Sequence, residues 1–134
     1  MKFILFCVAL LLPGAAFCQQ AIPDITGTWK ALSKVETKTT AGTVTGLDKE
    51  MYKTREKTYT FTATTVTITQ GFGKHSEKLP LRVQSNQLFI GKPEKNKQPY
   101  VLSVSDKRLI LTKTERKVKK GKTRIDTEVV TLEK

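Results

Sequence analysis

The sequence predicts an all-β protein, an antiparallel up-and-down meander barrel of eight or nine strands. Twenty threonines are scattered among Val, Ile, Tyr and Phe, which are residues typical of strands. Beyond residue 20 the apolar residues recur mostly with period two, in runs bounded by Gly, Asn, Asp and Pro, and a helical period is nowhere sustained. The chain has 134 residues, a length that suits one domain with one core.

Residues 1–18 are predicted to be a secretory signal peptide. Lys2 is followed by an apolar run from Phe3 to Leu12, a Pro13-Gly14 break and small residues ahead of Gln19. The run is shorter than the roughly 20 residues that a membrane-spanning helix needs, and no similar stretch follows it. We therefore expect export to the periplasm or the medium without stable membrane insertion, and a barrel domain over residues 19–134.

Cleavage could follow Ala16 or Cys18, and we favour the second position. Bacterial lipoproteins are cut just before a cysteine that receives lipid, but a small residue precedes that cysteine, whereas Phe17 is bulky. Lipid anchoring at Cys18 is therefore not expected. Because both cysteines, Cys7 and Cys18, fall within residues 1–18, the exported domain has no disulfide and depends on its core for stability.

Nine strands are predicted in order along the exported domain. They lie near Thr28–Lys38, Thr43–Tyr52, Arg55–Ala63, Thr65–Phe72, Glu77–Gln84, Gln87–Lys92, Gln98–Ser105, Lys107–Val118 and Lys122–Glu133. Connections such as Ser85-Asn86 and Lys120-Gly121 are short, so consecutive strands must be antiparallel neighbours. Closing the meander into a barrel removes its two exposed edges. A β-sandwich, the main alternative, needs long crossovers that these turns do not provide.

One face of each strand is apolar and the other carries Thr, Lys, Ser and Gln, a pattern that predicts one buried and one hydrated face. The residues of the buried face are Trp29, Ala31, Tyr59, Phe61, Val66, Ile68, Phe72, Leu79, Leu81, Val83, Leu88, Ile90, Tyr100, Leu102, Val104, Leu109, Leu111, Val130 and Leu132. Few of them are small. The barrel could therefore be packed solid, or it could keep a cavity at one end.

The segment Gly27-Thr28-Trp29 stands at the start of the first strand and resembles the G-x-W motif of the lipocalins. Ile25 to Lys30 also resembles the I-x-G-T-W-K start of small lipocalin-like domains in exported bacterial proteins. The resemblance implies a barrel closed at one end by Trp29, with a basic residue, Lys134 or Arg124, packed over its ring. The chain lacks the T-D-Y motif, the disulfide and the C-terminal helix of larger lipocalins, so ligands such as retinoids are not implied.

Two strands carry an apolar half followed by a basic half on one face. Past Leu111 and Val130, the face of the last hairpin continues through Lys113, Glu128, Asp126, Arg124 and Lys117, and the face of Tyr59 continues back through Lys57 and Arg55. If both basic halves line the mouth of the barrel, the candidate ligand-binding residues are Arg55, Lys57, Tyr59, Lys113 and Arg124, and the ligand is a lipid or another small anionic amphiphile. Alternatively, the strands overshoot the barrel and hold these charges in water.

The chain is basic, with 24 Lys and Arg against 12 Asp and Glu and a formal charge of +12. Nine of these cations lie between Lys107 and Arg124, where Glu115 is the one acid. The alternative function is therefore a non-catalytic interaction module whose basic outer surface binds an anionic glycan or a secreted partner protein. Nucleic acid is not an expected partner, because no aromatic residue is interleaved with this basic run.

Neither catalysis nor metal binding is expected. His75, the single histidine, is predicted to lie in a turn beside Ser76 and Glu77, and neighbours in one segment seldom converge into a catalytic relay. One histidine without a cysteine in the domain gives no metal-ligand spacing. We therefore expect a monomeric binding barrel that is not an enzyme and carries no cofactor.

Overall fold

The computed structural model describes residues 24–94 and 97–134, so the predicted signal peptide and its cleavage site lie outside the described residues. The described residues form nine strands: β1 (Gly27–Thr40), β2 (Thr43–Met51), β3 (Thr58–Phe61), β4 (Thr65–Gln70), β5 (His75–Gln84), β6 (Gln87–Ile90), β7 (Tyr100–Ser105), β8 (Arg108–Lys119) and β9 (Lys122–Glu133). Among these residues no helix is long and apolar enough to cross a membrane.

Eight strands close into an antiparallel barrel, and β2 is added beside it. The strands follow the order β2-β1-β3-β4-β5-β6-β7-β8-β9, and the pairing of β1 with β9 closes the ring. β1 can serve three neighbours because residues 27–30 pair with β3, residues 33–40 pair with β2, and β9 runs along its other edge. The predicted fold class, an all-β up-and-down barrel, is confirmed.

Four strands continue past the barrel as a separate piece of sheet. Residues 33–40 of β1, all of β2, residues 113–119 of β8 and residues 122–129 of β9 pair in the order β2-β1-β9-β8. We call this four-stranded piece the extension. Each of its hairpins ends in a two-residue turn with positive φ at both positions, Ala41-Gly42 and Lys120-Gly121, as tight hairpin turns require.

The core fills the end of the barrel around Trp29. At this end the most deeply buried side chains are 0–2% exposed: Trp29, Phe61, Val66, Leu88, Leu109 and Leu132. The indole Nε1 of Trp29 donates a hydrogen bond to the carbonyl oxygen of Ile25 at 2.8 Å. Lys134 Nζ lies 5.4 Å from the centre of the Trp29 ring, so the contact that the resemblance implied is made by Lys134. Arg124 lies near the opposite end of β9.

The prediction that the third strand begins at Arg55 is wrong, because β3 begins at Thr58. Arg55 has a φ of 66°, a left-handed conformation that a strand does not accommodate. The preceding turn is held by the amide of Glu56, which donates to the carbonyl of Lys53 at 3.0 Å. The period-two pattern that led back from Tyr59 therefore ends before it reaches Arg55.

Two residues assigned to the buried face are exposed. Phe72 is 59% exposed, because β4 ends at Gln70 and Phe72 lies in a turn with a φ of 58° between Gly71 and Gly73. Val104 is 40% exposed near the end of β7. An apolar residue in an alternating run is therefore buried only where neighbouring strands cover it.

Candidate functional site

A cavity of about 290 Å³ opens at the end of the barrel opposite Trp29. Its floor is apolar and is formed by Ile68, Leu79, Ile90, Leu111 and Val130, and its rim includes Tyr59, Tyr100, Lys97 and Lys113. Ile68, Leu79 and Ile90 point inward but are only partly buried, in contrast to the fully packed residues around Trp29. The barrel is therefore packed at one end and hollow at the other.

One side of the cavity is bordered by the shortest ladder of the barrel, that between β6 and β7. β6 and β7 pair at two positions, Gln87 with Val101 and Leu88 with Tyr100. After Ile90 the chain leaves the sheet, and Lys97 and Gln98 border the cavity on its return. Lys97, Gln98 and Tyr100 therefore border the cavity beside the shortest ladder of the barrel.

Glu128 lies at the junction of the cavity rim and the extension, and it has three partners. Its Oε1 lies 3.7 Å from Lys34 Nζ and accepts a hydrogen bond from the Tyr100 hydroxyl at 3.2 Å, and its Oε2 lies 3.6 Å from Lys113 Nζ. Lys113 Nζ is also 5.0 Å from the centre of the Tyr100 ring. Two ammonium groups thus flank one carboxylate beside an apolar cavity, and each also has a second carboxylate partner, Glu36 at 3.0 Å from Lys34 and Glu115 at 3.8 Å from Lys113.

Lys57 adds a third cation beside Tyr59. Its Nζ lies 5.2 Å from the centre of the Tyr52 ring and 5.6 Å from that of Tyr59. Burial and then the positive charge of Lys34 lower the pKa of Lys57. At Lys34 burial acts in the same direction, but the carboxylates of Glu36 and Glu128 outweigh it and raise the pKa. An anion that reached Lys57 would therefore relieve an unfavourable charge.

The structure brings together some of the predicted ligand-binding residues and separates others. Tyr59 and Lys113 line the cavity, and Lys57 lies over the Tyr59 ring. Arg55 is exposed in the turn before β3. Arg124 lies four residues from Glu128 on β9, roughly 13 Å away along the strand. The four cations therefore do not form one mouth, because the last hairpin overshoots the barrel.

Arg124 is instead neutralised within its own strand. Its Nε donates to Asp126 Oδ1 at 2.9 Å and its Nη2 donates to Asp126 Oδ2 at 2.8 Å. The hydrogen bonds from Arg124, with its charge and that of Lys117, hold the pKa of Asp126 below its usual range. This bidentate pair leaves Arg124 little capacity for a second anion.

Sequence reasoning missed Lys34 because β1 contains a bulge. Continuing the alternation of Trp29 and Ala31 would place Ser33 on the inner face. The register of β1 against β9 shifts between Ala31 and Ser33, so Lys34 lies opposite Val130 on that face. No glycine or turn residue marks the bulge in the sequence. Tyr52 and Lys97 were also missed, since both lie outside regular strands.

In the described part of the chain, no three His, Cys, Asp or Glu side chains lie close enough to share a metal ion. His75 is exposed at the start of β5, opposite Gln70. Neither a protein-family model, nor a curated protein, nor a solved structure matches this chain. The cavity and its rim are therefore the features from which a function can be inferred.

The tyrosines of the rim provide a test of its burial. Burial, and next the charge of Glu128, raises the pKa of Tyr59 from 10.0 to about 12, and burial also raises the pKa of Tyr52 and of Tyr100. The folded state thus holds these protons more tightly than the unfolded state. Their contribution to stability is present below pH 10 and is lost as the pH rises towards 12.

We expect phenolate absorbance of the native protein to appear well above pH 10 and to accompany unfolding. In denaturant the same absorbance should titrate near pH 10, the ordinary value for tyrosine. A native protein whose tyrosines ionise near pH 10 while it stays folded would show that the rim phenols are hydrated.

Proposed function

We propose that this protein is an exported, monomeric, lipocalin-like barrel that binds a small anionic amphiphile without catalysis or a cofactor. The apolar part of the ligand would occupy the cavity, and its acidic group would lie at the rim. The observation that carries this proposal is the continuity of an apolar floor with a rim of cations, where Lys113 lines both the cavity and the Glu128 cluster.

The size of the cavity limits the ligand. About 290 Å³ is at the lower end of the roughly 300–1,000 Å³ that small-molecule sites occupy. Each methylene that enters the cavity contributes about 0.8 kcal/mol by leaving water. A medium-chain fatty acid or a ligand of similar size therefore fits better than a long-chain lipid.

The acidic group of the ligand would interact with Lys113 and Lys57. Charge-assisted hydrogen bonds from ammonium groups to a carboxylate or phosphate are stronger than neutral ones, especially beside an apolar wall that excludes water. Glu128 would compete for Lys113, because its Oε2 lies 3.6 Å from that ammonium group. The rim therefore accepts an anion at a moderate affinity that Glu128 sets.

Substitutions on the floor and at the rim of the cavity test the proposal. The affinity of each variant for a medium-chain fatty acid is measured by displacement of a fluorescent fatty acid. Leu79→Trp fills the cavity and is expected to abolish measurable binding, because the indole occupies the space of the ligand chain. Lys113→Ala removes one charge-assisted contact and should weaken binding about ten-fold.

Arg55→Ala and Arg124→Ala are the matched controls, since each removes one cation from outside the cavity. We expect both to bind the fatty acid within about two-fold of the unsubstituted protein. If Lys113→Ala and Arg124→Ala lose the same amount of affinity for the fatty acid, the net charge of the protein would explain the loss. Unchanged binding in a folded Leu79→Trp variant would rule out the cavity as the site.

A further inference from the structure

The two faces of the extension differ in charge. The face that continues from the barrel interior carries, by register, Glu50, Asp48, Lys34, Glu36, Lys38, Glu128, Asp126, Arg124, Lys113, Glu115, Lys117, Lys119 and Lys122. Ion pairs at 2.8–3.8 Å join the side chains of β1, β8 and β9 on this charged face. Half of the 12 carboxylates of the chain lie here, so the charged face is neutralised from within.

The opposite face is aliphatic and rich in threonine. Its residues, by register, are Met51, Lys49, Leu47, Val44, Ser33, Val35, Thr37, Thr39, Val129, Thr127, Ile125, Thr114, Arg116, Val118 and Thr123. We call it the aliphatic face. Among these described residues there is no carboxylate, and the charges are those of Lys49 and Arg116. Both cations lie on the edge strands β2 and β8.

Large apolar side chains of the aliphatic face are open to solvent. Leu47 is 70% exposed, Val118 68%, Met51 66%, Val44 61% and Ile125 38%. Single exposed aliphatic residues are ordinary on a protein surface, but several on one face of a sheet mark an interaction surface.

A cluster of cations lies at the end of the β8–β9 hairpin, beyond the last residues of the aliphatic face. By register Lys119 and Lys122 continue the charged face, and Lys120 lies in the turn between the two faces. Lys119, Lys120 and Lys122 are exposed there, directly after Val118. We call these three lysines the cationic tip. The carboxylates nearest to them along the hairpin are Glu115 and Asp126, which pair across it. Lys117 contacts both, and Arg124 also contacts Asp126.

We propose that the aliphatic face and the cationic tip dock this protein peripherally on an anionic lipid bilayer. The lysines would lie among anionic headgroups, and the aliphatic side chains would enter the boundary between headgroups and acyl chains. A face without carboxylates is not repelled by a negatively charged surface. Half of the acidic residues lie on the charged face instead, so the two faces of the extension differ in negative charge. This inference is independent of the cavity and of its ligand.

A second copy of the chain fits the aliphatic face less well. Four strands about 4.8 Å apart and eight residues of about 3.3 Å each give a face of roughly 500 Å². Two such faces would bury about 1,000 Å², below the 1,200–2,000 Å² of stable interfaces. The pairing would also bring together Lys49 and Arg116 of both copies with no carboxylate from the described residues of either face.

The test is co-sedimentation of the full protein with vesicles of phosphatidylcholine, with and without phosphatidylglycerol. We expect binding to the anionic vesicles and none to the neutral ones. Lys119→Ala, Lys120→Ala and Lys122→Ala combined should weaken binding about a hundred-fold, at about five-fold for each cation. Leu47→Ser with Val118→Ser should weaken it at least ten-fold without any change in charge.

The matched control combines Lys78→Ala, Lys92→Ala and Lys107→Ala, which removes three exposed cations from the barrel. It should bind within about three-fold of the unsubstituted protein. If this control loses as much vesicle binding as the variant of the cationic tip, net charge alone would explain the binding and the proposal would be overturned. Full binding by a folded Leu47→Ser, Val118→Ser variant would overturn the proposal, because charge alone would then explain binding to any polyanion. Absence of vesicle binding would also overturn it. So would a dimer of the unsubstituted protein that these two substitutions dissociate.

Discussion

Trp29→Ala is expected to destabilise the barrel by about 3–5 kcal/mol, a large share of the 5–15 kcal/mol that a typical domain has. Trp29 is 2% exposed, so its removal leaves a void that the surrounding strands cannot fully close. It also removes the hydrogen bond from Nε1 to the carbonyl oxygen of Ile25, and it removes the ring beneath Lys134.

The measurement is chemical unfolding followed by circular dichroism, because Trp29 is the single tryptophan and its substitution removes the intrinsic fluorescence signal. Trp29→Phe keeps most of the volume and loses the hydrogen bond, so it should cost about 1–3 kcal/mol and stay folded. Phe72→Ala is the control, since this aromatic ring is 59% exposed and its loss should change stability by about 0.5 kcal/mol at most. Equal losses in Trp29→Ala and Phe72→Ala would contradict the packed end of the barrel.

Glu128→Gln is expected to raise the affinity for a medium-chain fatty acid about ten-fold. The substitution removes the carboxylate that lies 3.6 Å from Lys113 Nζ at the cavity, so Lys113 keeps only Glu115, at 3.8 Å, as a competitor of the ligand. Lys34 stays paired with Glu36 at 3.0 Å. The amide oxygen can still accept the hydrogen bond of Tyr100. Stability should fall by about 1 kcal/mol, because partly exposed ion pairs contribute little.

Fatty-acid titration and chemical unfolding of the same variant separate the two effects of Glu128. Asp126→Asn is the control: it removes a carboxylate of the same face whose partners are Arg124 and Lys117, not Lys113. Asp126→Asn should leave fatty-acid affinity within about two-fold. A lower affinity in Glu128→Gln would mean that the carboxylate supports binding, and would remove Lys113 from the anion site.

Much of the fold could be predicted from the sequence because its signals are local. Period-two alternation and two-residue turns such as Lys120-Gly121 fix both the strands and their register, and Lys113 and Glu128, predicted to share one face, are paired on that face. The turn before β3 could not be predicted, since Arg55 in a left-handed conformation looks like any other residue of an alternating run.

The site was only partly predictable because it depends on where the barrel ends. Tyr59 and Lys113 follow from alternation along their strands, and Lys57 from the same alternation one residue before β3 begins. Lys34 depends on the bulge in β1, and the distance of Arg124 from the cavity depends on how far β8 and β9 continue past their neighbours. How far a strand extends beyond the closed barrel depends on the lengths of its neighbours, so the sequence of one strand cannot predict it.

The most direct test of the binding barrel is native mass spectrometry of the purified protein after incubation with a medium-chain fatty acid, beside the Leu79→Trp variant. We predict one bound ligand per chain in the unsubstituted protein and none in the folded variant. An unsubstituted protein that remains free of ligand, or a variant that keeps it, would contradict a ligand site in the cavity.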